Sequence, residues 1–337
     1  MNNPDWMSRA DPRVIQGLNS VAIRMETAGL PAEVAVGWSG GADSTALLLL
    51  LLQRGFRVQA WHVDHAWRES SAAEAQLLAR QAQQWGIKLL AARLPAPSRR
   101  NREAEARKGR YTQFEQWRLA TGISTLCLGH HRDDQAETVC MRLLQGAGIT
   151  GCRGMRRQRK HAGLELVRPL LQVSAIELKA VLKLAGINWL EDPSNHDMTV
   201  WRNRIRHRLF PTIERANTSA CDLFLRWQAQ AERLAIQIER ETDLLLAHAS
   251  SPGQDAQSAC LPWLMWSDCS APVRVRLLQK MMAFVLGEGV TPGRRHILMI
   301  EAWTLRGGHG GLDLSRCRLL RSRNHLHLRR ALADLSP

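Results

Sequence analysis

At 337 residues the chain exceeds one ordinary core and leaves room for a large α/β unit with a smaller unit attached. No apolar run approaches a bilayer's width, the leucines of residues 47–52 being the longest stretch of their kind, and MNNPDWMSRADPR at the start has no apolar segment behind its charges. Membrane partners and export are therefore excluded, and a cytoplasmic protein is expected.

The seven cysteines (Cys127, Cys140, Cys152, Cys221, Cys260, Cys269, Cys317) stand singly with no Cys-x-x-Cys pair, which argues against a zinc site, an iron–sulfur cluster or a redox dithiol. Reduced, mostly buried thiols are expected. Net charge is +15, from 46 basic and 31 acidic residues, and only six of the basic ones are lysines. Residues 1–211 hold 30 of the basic and 19 of the acidic side chains, so most of the excess lies there. Arginine forks match phosphate oxygens two at a time, which points to a nucleic-acid or polyphosphate partner for this part.

In chain order, residues 1–32 read as a helical lead-in. EVAVGW is a strand, followed by a glycine turn and an apolar helix over residues 44–54; FRVQAWHV is a second strand, with a helix over 70–85. IKLLAAR is a third strand, with a charged helix over 102–119, and STLCLGH a fourth, leading into a helix over 134–144. Alternating strands and helices imply right-handed crossovers and an α/β fold: a doubly wound parallel sheet with helices on both faces. Such sheets bind ligands beyond the strand C-termini, where the strand order reverses. Past residue 211 the pattern becomes helical (217–249, 271–286, 294–306) with a flexible 250–258 and a β-like end, so a smaller, mainly helical domain is expected over 212–337 after a catalytic domain over 33–211.

Ser39-Gly40-Gly41-Ala42-Asp43-Ser44 lies between the first strand and its helix, where backbone N–H groups and the helix N-terminus converge on an anion. The glycines allow a tight turn and close approach, and Ser39 and Ser44 add hydroxyl donors. Asp43 would repel phosphate unless a divalent cation stands between them, which implies Mg2+ at Asp43. No lysine follows in the G-x-x-x-x-G-K spacing, and the third glycine of a dinucleotide fingerprint is missing.

The loop resembles the S-G-G-x-D-S loop of pyrophosphate-loop ATPases, which cleave ATP between the α and β phosphates. Four further segments resemble those of tRNA(Ile)-lysidine synthetases: His62-Val63-Asp64-His65 with Arg68-Glu69-Ser70; the run from Asn101 through Glu103, Arg107 and Arg110 to Tyr111; Gly129-His130-His131-Arg132-Asp133-Asp134-Gln135-Ala136-Glu137-Thr138; and Glu191-Asp192-Pro193-Ser194-Asn195 with Arg202-Asn203-Arg204-Ile205-Arg206. Together they cover residues 33–211 in order. The resemblance implies a ligase that uses ATP to adenylate the wobble cytidine of isoleucine tRNA with a CAU anticodon, then joins free L-lysine through its ε-amine to carbon 2, releasing AMP. It implies ATP on Ser39, Gly40, Gly41, Ala42, Asp43, Ser44, His62, Arg202 and Arg206. Catalysis falls to Asp43, Asp133, Asp134 and Glu137, and the last three also suit the cationic lysine.

Asp133 or Asp134 shares a helix face with Glu137, so an acidic cluster is expected there, as is ordinary helix-start capping. His130 and His131 read as phosphate or metal contacts or as loop-orienting groups. Arg107 and Arg110, three apart, read as a clamp on tRNA phosphate or as solvated charge. Residues 153–160, with Arg156, Arg157, Arg159 and Lys160, read as a flexible basic loop at the tRNA surface or as a solvated one. Trp38, and Trp67 after Ala66, are bulkier than the family pattern and would crowd the adenine pocket. The resemblance also places the chain's end before a C-terminal acceptor-stem domain of longer relatives. A homo-oligomer is compatible with the sequence. Two rivals share the fold: a tRNA cytidine thiolase, which needs cysteine pairs, and a noncatalytic RNA-binding relative, for which intact Asp43, Asp133, Asp134 and Glu137 would be unexplained.

Overall fold

A computed structural model describes residues 11–65, 71–95, 102–216, 218–248, 258–287, 290–314 and 316–331. It divides into two compact units, residues 1–228 and 229–337. The division falls later than residue 211 because residues just beyond it still pack with the first unit: Phe210 stacks on Phe224 at 5.4 Å. Ala66, Trp67, Arg68, Glu69, Ser70 and Asn101 of the expected motifs lie outside the described residues, as does most of 250–258.

The first unit opens with α1 (Pro12–Ala22), β1 (Glu33–Gly37), α2 (Ala42–Gln53), β2 (Arg57–Asp64), α3 (Ser71–Gln84), β3 (Lys88–Arg93), α4 (Arg102–Thr121), β4 (Thr125–Cys127) and α5 (Arg132–Leu144). These match the expected alternation. Strand β1 shows why the pattern reads as it does. Val34 and Val36 enter one core with the leucines of α2, whereas Ala35 enters another with Trp61 and Phe114. A strand covered on both faces is apolar throughout rather than alternating. Helix α2 is likewise buried all round, Leu47, Leu48, Leu49, Leu50 and Leu51 being inaccessible.

Among the elements without an expectation are β5 (Gln158–His161), β6 (Leu164–Val167) and α6 (Ala175–Leu184). The sheet runs β3-β2-β1-β4-β6-β5, parallel except for β5, which pairs antiparallel with β6. Part of the expected flexible loop at 153–160 is therefore an edge strand. Its charges hid it: Arg159 and Lys160 sit on the sheet's open edge, where like-charged side chains discourage further pairing. Its two-residue turn, Ala162 and Gly163, takes positive φ at both positions without the usual Asn or Asp signal. Helix α6 begins at a Ser174–Glu177 capping box, a Ser-x-x-Glu signature present in the sequence.

The second unit holds a four-stranded antiparallel sheet, ordered β7 (Ser258–Pro262), β10 (His325–Arg330), β9 (Cys317–Ser322) and β8 (Gly311–Leu314), with helices over Trp263–Asp268, Ala271–Leu286 and Arg294–Leu305. Within it, Arg274 is held by both oxygens of Glu301 at 3.2 and 2.8 Å. Among the described residues no helix is long and apolar enough to cross a membrane.

The strand order reverses between β1 and β4, and the two chain segments leaving these strands touch. A Cβ on Gly129 would stand 2.9 Å from the backbone nitrogen of Ser44 and 3.1 Å from the carbonyl carbon of Asp43. Only glycine allows this approach, because backbone cannot swing aside as a side-chain end can. Gly129→Ala is expected to cost about 1–3 kcal/mol by overpacking and to weaken ATP binding by pushing the loop; Gly148→Ala, where a Cβ meets nothing within 4 Å, is the control. Melting temperature and nucleotide titration on both variants check this; equal behaviour would remove the packing role.

Candidate active site

A cleft of about 1080 Å³ opens at this reversal point, lined by Ser39, Gly41, Asp43 and Ser44 from the β1–α2 turn and by His130 and Asp134 from the segment after β4. The same cleft takes Arg107, Arg110, Arg156, Arg159, Arg168 and Arg202. It thus has carboxylates and an anion-binding turn together with a concentration of guanidinium groups.

The β1–α2 turn is preorganised by its own hydroxyls. Ser44 Oγ accepts from the Ser39 N–H at 3.2 Å and donates to the Gly41 carbonyl at 3.1 Å, and Ser39 Oγ accepts from the Gly41 N–H at 3.3 Å. Gly40 has φ +83°, and a Cβ there would lie 2.7 Å from Leu190 and 2.9 Å from Leu78. Gly41 is the N-cap of α2 and no side chain caps it, so the first-turn N–H groups are available to an anion. Trp38, whose bulk was expected to alter the adenine pocket, lines the cleft but is held in the core. Its indole is 1% exposed, donates to Thr45 Oγ1 at 3.0 Å and lies 5.9 Å from Trp85 in the core. His62 is fixed by Nδ1, which meets the Trp38 carbonyl at 2.9 Å. A carbonyl only accepts, so Nδ1 carries the proton and Nε2 is left as an acceptor in the neutral ring.

His131 organises the acidic groups. It is 3% exposed, with Nε2 3.5 Å from both Asp43 Oδ2 and Asp134 Oδ2, and Nδ1 3.4 Å from Asp133 Oδ2. Burial opposes its charge, but Asp133, Asp43 and Asp134 outweigh burial and raise it to about 10, so it is an imidazolium. His130 behaves oppositely. Burial lowers it to about 4, helped by Arg168, Arg202 and Arg110 against the pull of Asp134, and its Nδ1 is buried without a hydrogen-bond partner.

The three expected lysine carboxylates do not form one open cluster. Asp133 accepts the Ala175 N–H at 2.9 Å at the start of α6, and despite burial its bond to His131 and that backbone bond hold it at about 2. Glu137 is 1% exposed and is gripped by Arg206 through Nε at 2.6 Å and Nη2 at 3.1 Å, with Arg202 Nε 3.3 Å away. Only Asp134 lines the cleft. Arg206, expected on ATP, is held by this pairing with Glu137 and does not line the cleft; Arg202 lines it while also donating to Thr138 Oγ1 at 3.1 Å. A single π-turn, Ile205–Leu209, places Arg206 here. Asn203 ties this segment to the Glu191-Asp192-Pro193-Ser194-Asn195 loop, donating to the carbonyls of Ser194 and Asp197, each at 2.8 Å.

The basic residues separate as well. Arg107 and Arg110 flank the Tyr111 ring at 5.1 and 5.7 Å, and burial lowers the Arg110 pKa. Arg156 and Arg159 line the cleft; Lys160 does not. Arg157, expected at the tRNA surface, instead pairs with Glu26 at 2.9 Å and donates to the carbonyls of Glu26 and Ala28 at 3.2 and 2.7 Å. Gln135 pins the start of the basic segment, accepting the Met155 N–H at 2.7 Å and donating to its carbonyl at 3.0 Å. Sequence reading missed Arg168, which follows an unrecognised strand, and gave Gly129 no role. A glycine opening the His130-His131 motif was the available signal for the second.

The PP-loop domain family matches residues 20–213. The tRNA(Ile)-lysidine synthase of Nitratidesulfovibrio vulgaris is 32% identical over 90% of this chain and 91% of its own length, and that of Chlamydia pneumoniae 30% identical over 86% and 87%. Against the Chlamydia felis tRNA(Ile)-lysidine synthase the identity is 39%, but the match covers 52% of this chain and only 56%, about half, of that relative. Among solved structures, the U34-tRNA thiolase NcsA of Methanococcus maripaludis superposes with TM-score 0.53 over 64% of this chain and 79% of its own, at 16% identity, a likeness of fold alone. The PP-loop match over more than half the sequence, with relatives aligned nearly end to end, shows that the chain belongs to the tRNA(Ile)-lysidine synthase family of PP-loop proteins.

Proposed function

We propose that the chain ligates L-lysine to carbon 2 of the wobble cytidine of isoleucine tRNA, spending ATP to AMP and pyrophosphate. The observation that carries this reading is the composition of one cleft. An uncapped helix N-terminus for phosphate, a carboxylate at Asp134 and a set of arginines for RNA all line it.

The phosphates of ATP lie on the N–H groups opening α2, with Ser39 and Ser44 beside them. The cytidine oxygen attacks the α phosphorus and pyrophosphate leaves; the lysine ε-amine then attacks carbon 2 and AMP leaves. Asp134 is the carboxylate placed to hold the ε-ammonium and to accept its proton. Asp43 fits Mg2+. Its Oδ1 is buried without a hydrogen-bond partner, which suits an ion that takes one carboxylate plus phosphate oxygens and water. Bound there, the ion would neutralise charge on the leaving pyrophosphate.

Incubation with ATP, labelled lysine and a CAU-anticodon isoleucine tRNA transcript is expected to give AMP, pyrophosphate and labelled tRNA. ATP cleavage without label would retain a base-activating enzyme and remove the lysine assignment. Asp43→Ala is expected to abolish pyrophosphate release while tRNA binding persists; loss of both would assign it a folding role. Asp134→Asn, which keeps an acceptor for the His131 N–H, is expected to raise the KM for lysine with little change in melting temperature. Glu137→Ala removes the carboxylate that holds Arg206 and should lower stability by about 1–3 kcal/mol, less than the cost of breaking a fully buried pair because the Arg206 side chain is 35% exposed. Reversed phenotypes for these two would exchange their roles.

A further inference from the structure

Arg168 is the first residue past β6, whose last residue pairs with the end of β4. Its side chain is 7% exposed and it lines the cleft. Nη1 donates to the Arg156 carbonyl at 2.7 Å, whereas Nε is buried with no hydrogen-bond partner. Its charged surroundings are Arg159 and Arg107, with Tyr111 alongside; no carboxylate among the described residues neutralises it. Burial and these two arginines lower its pKa, the direction expected of a cation held without a counter-ion.

Among the described residues the other buried arginine, Arg274, is compensated by both oxygens of Glu301, and the half-buried Arg206 is compensated by those of Glu137. A buried charge without a partner is costly, and its persistence calls for an anion that arrives with the ligand. The β1–α2 turn already provides one anion seat. Arg168 stands at the same end of the sheet, two strands along in the order β1-β4-β6, about 10 Å away at ordinary strand spacing. That separation leaves room in the cleft for a second anion beside one lying on the turn.

We propose that Arg168 seats a second phosphate, the backbone phosphodiester of the RNA at the reacting nucleotide, and so positions the base beside the ATP site. Arg156 and Arg159, on the same stretch of the cleft lining, extend the track along that backbone. This rests on the reading of the chain as an enzyme acting on tRNA.

The rival is a purely structural tether, in which Arg168 serves only to hold the Arg156 carbonyl. Arg168→Gln separates the two, because its amide still reaches for a carbonyl but carries no charge; Arg168→Lys keeps the charge. With the full chain, melting without substrates, filter retention of the isoleucine tRNA transcript across a salt series, and the KM for ATP are measured on all three proteins. Arg168→Gln is expected to melt at or above the parent's temperature, to bind tRNA about tenfold more weakly, and to lose about one from the slope of log affinity against log salt. Arg168→Lys should retain that slope, and the KM for ATP should stay unchanged in both. A lower melting temperature for Arg168→Gln with tRNA affinity, salt slope and ATP KM unchanged overturns the proposal in favour of the tether. A loss confined to the KM for ATP moves the seat to the nucleotide and overturns the RNA assignment. Because retention is scored without lysine transfer, a parent protein that binds tRNA but adds no lysine defeats the ligase reading and leaves the Arg168 result standing.

Discussion

The contact of Gly129 with the backbone of Asp43 and Ser44 is the constraint on which the site depends. It joins the turn after β1 to the segment after β4, the two strands between which the sheet order reverses. With the backbones this close, His131 reaches Asp43 from one segment while bonding Asp133 and Asp134 of its own. An imidazolium among three carboxylates offsets repulsion that would otherwise drive them apart. The turn's open N–H groups and Asp134 are thereby presented to one cleft.

Buried polar and charged groups of this unit fall into two kinds. Glu137 with Arg206, Asp133 with the start of α6, and Arg157 with Glu26 are paired inside the protein and hold elements together. Asp43 Oδ1, His130 Nδ1 and Arg168 Nε are buried polar atoms of cleft residues that lack partners. Groups of the first kind contribute stability, and their loss leaves a stranded charge. Groups of the second kind oppose folding of the ligand-free protein, so they mark where ligand chemistry is met.

Much of this was legible in the sequence, and the exceptions have physical causes. Strands β1, β2 and β4 announce themselves because they are largely buried between helices, and the edge strand β3 because Leu89, Leu90, Ala91 and Ala92 form a short apolar run. Strand β5 is not legible, since an edge strand keeps its charges and its Ala162-Gly163 turn lacks the common signal. The Ser39-to-Ser44 turn was readable as an anion site because it needs only glycines and position. The acidic trio was readable as residues but not as a site: helix spacing correctly puts Asp134 and Glu137 on the face that meets Arg206, yet it cannot foresee that Arg206 returns from 69 residues away to claim Glu137. The anchoring of Trp38 was not legible for a related reason, since its indole partners Thr45 and Trp85 are fixed by the fold.

The central claim is that this cleft brings an activated cytidine and lysine together, and the most direct measurement is the mass and position of the change in the tRNA. After reaction with ATP and lysine, nuclease fragments of isoleucine tRNA are predicted to carry one added lysine less one water, confined to the wobble cytidine. An unmodified cytidine despite ATP cleavage, or an exchange of oxygen for sulfur at that base, would contradict the account.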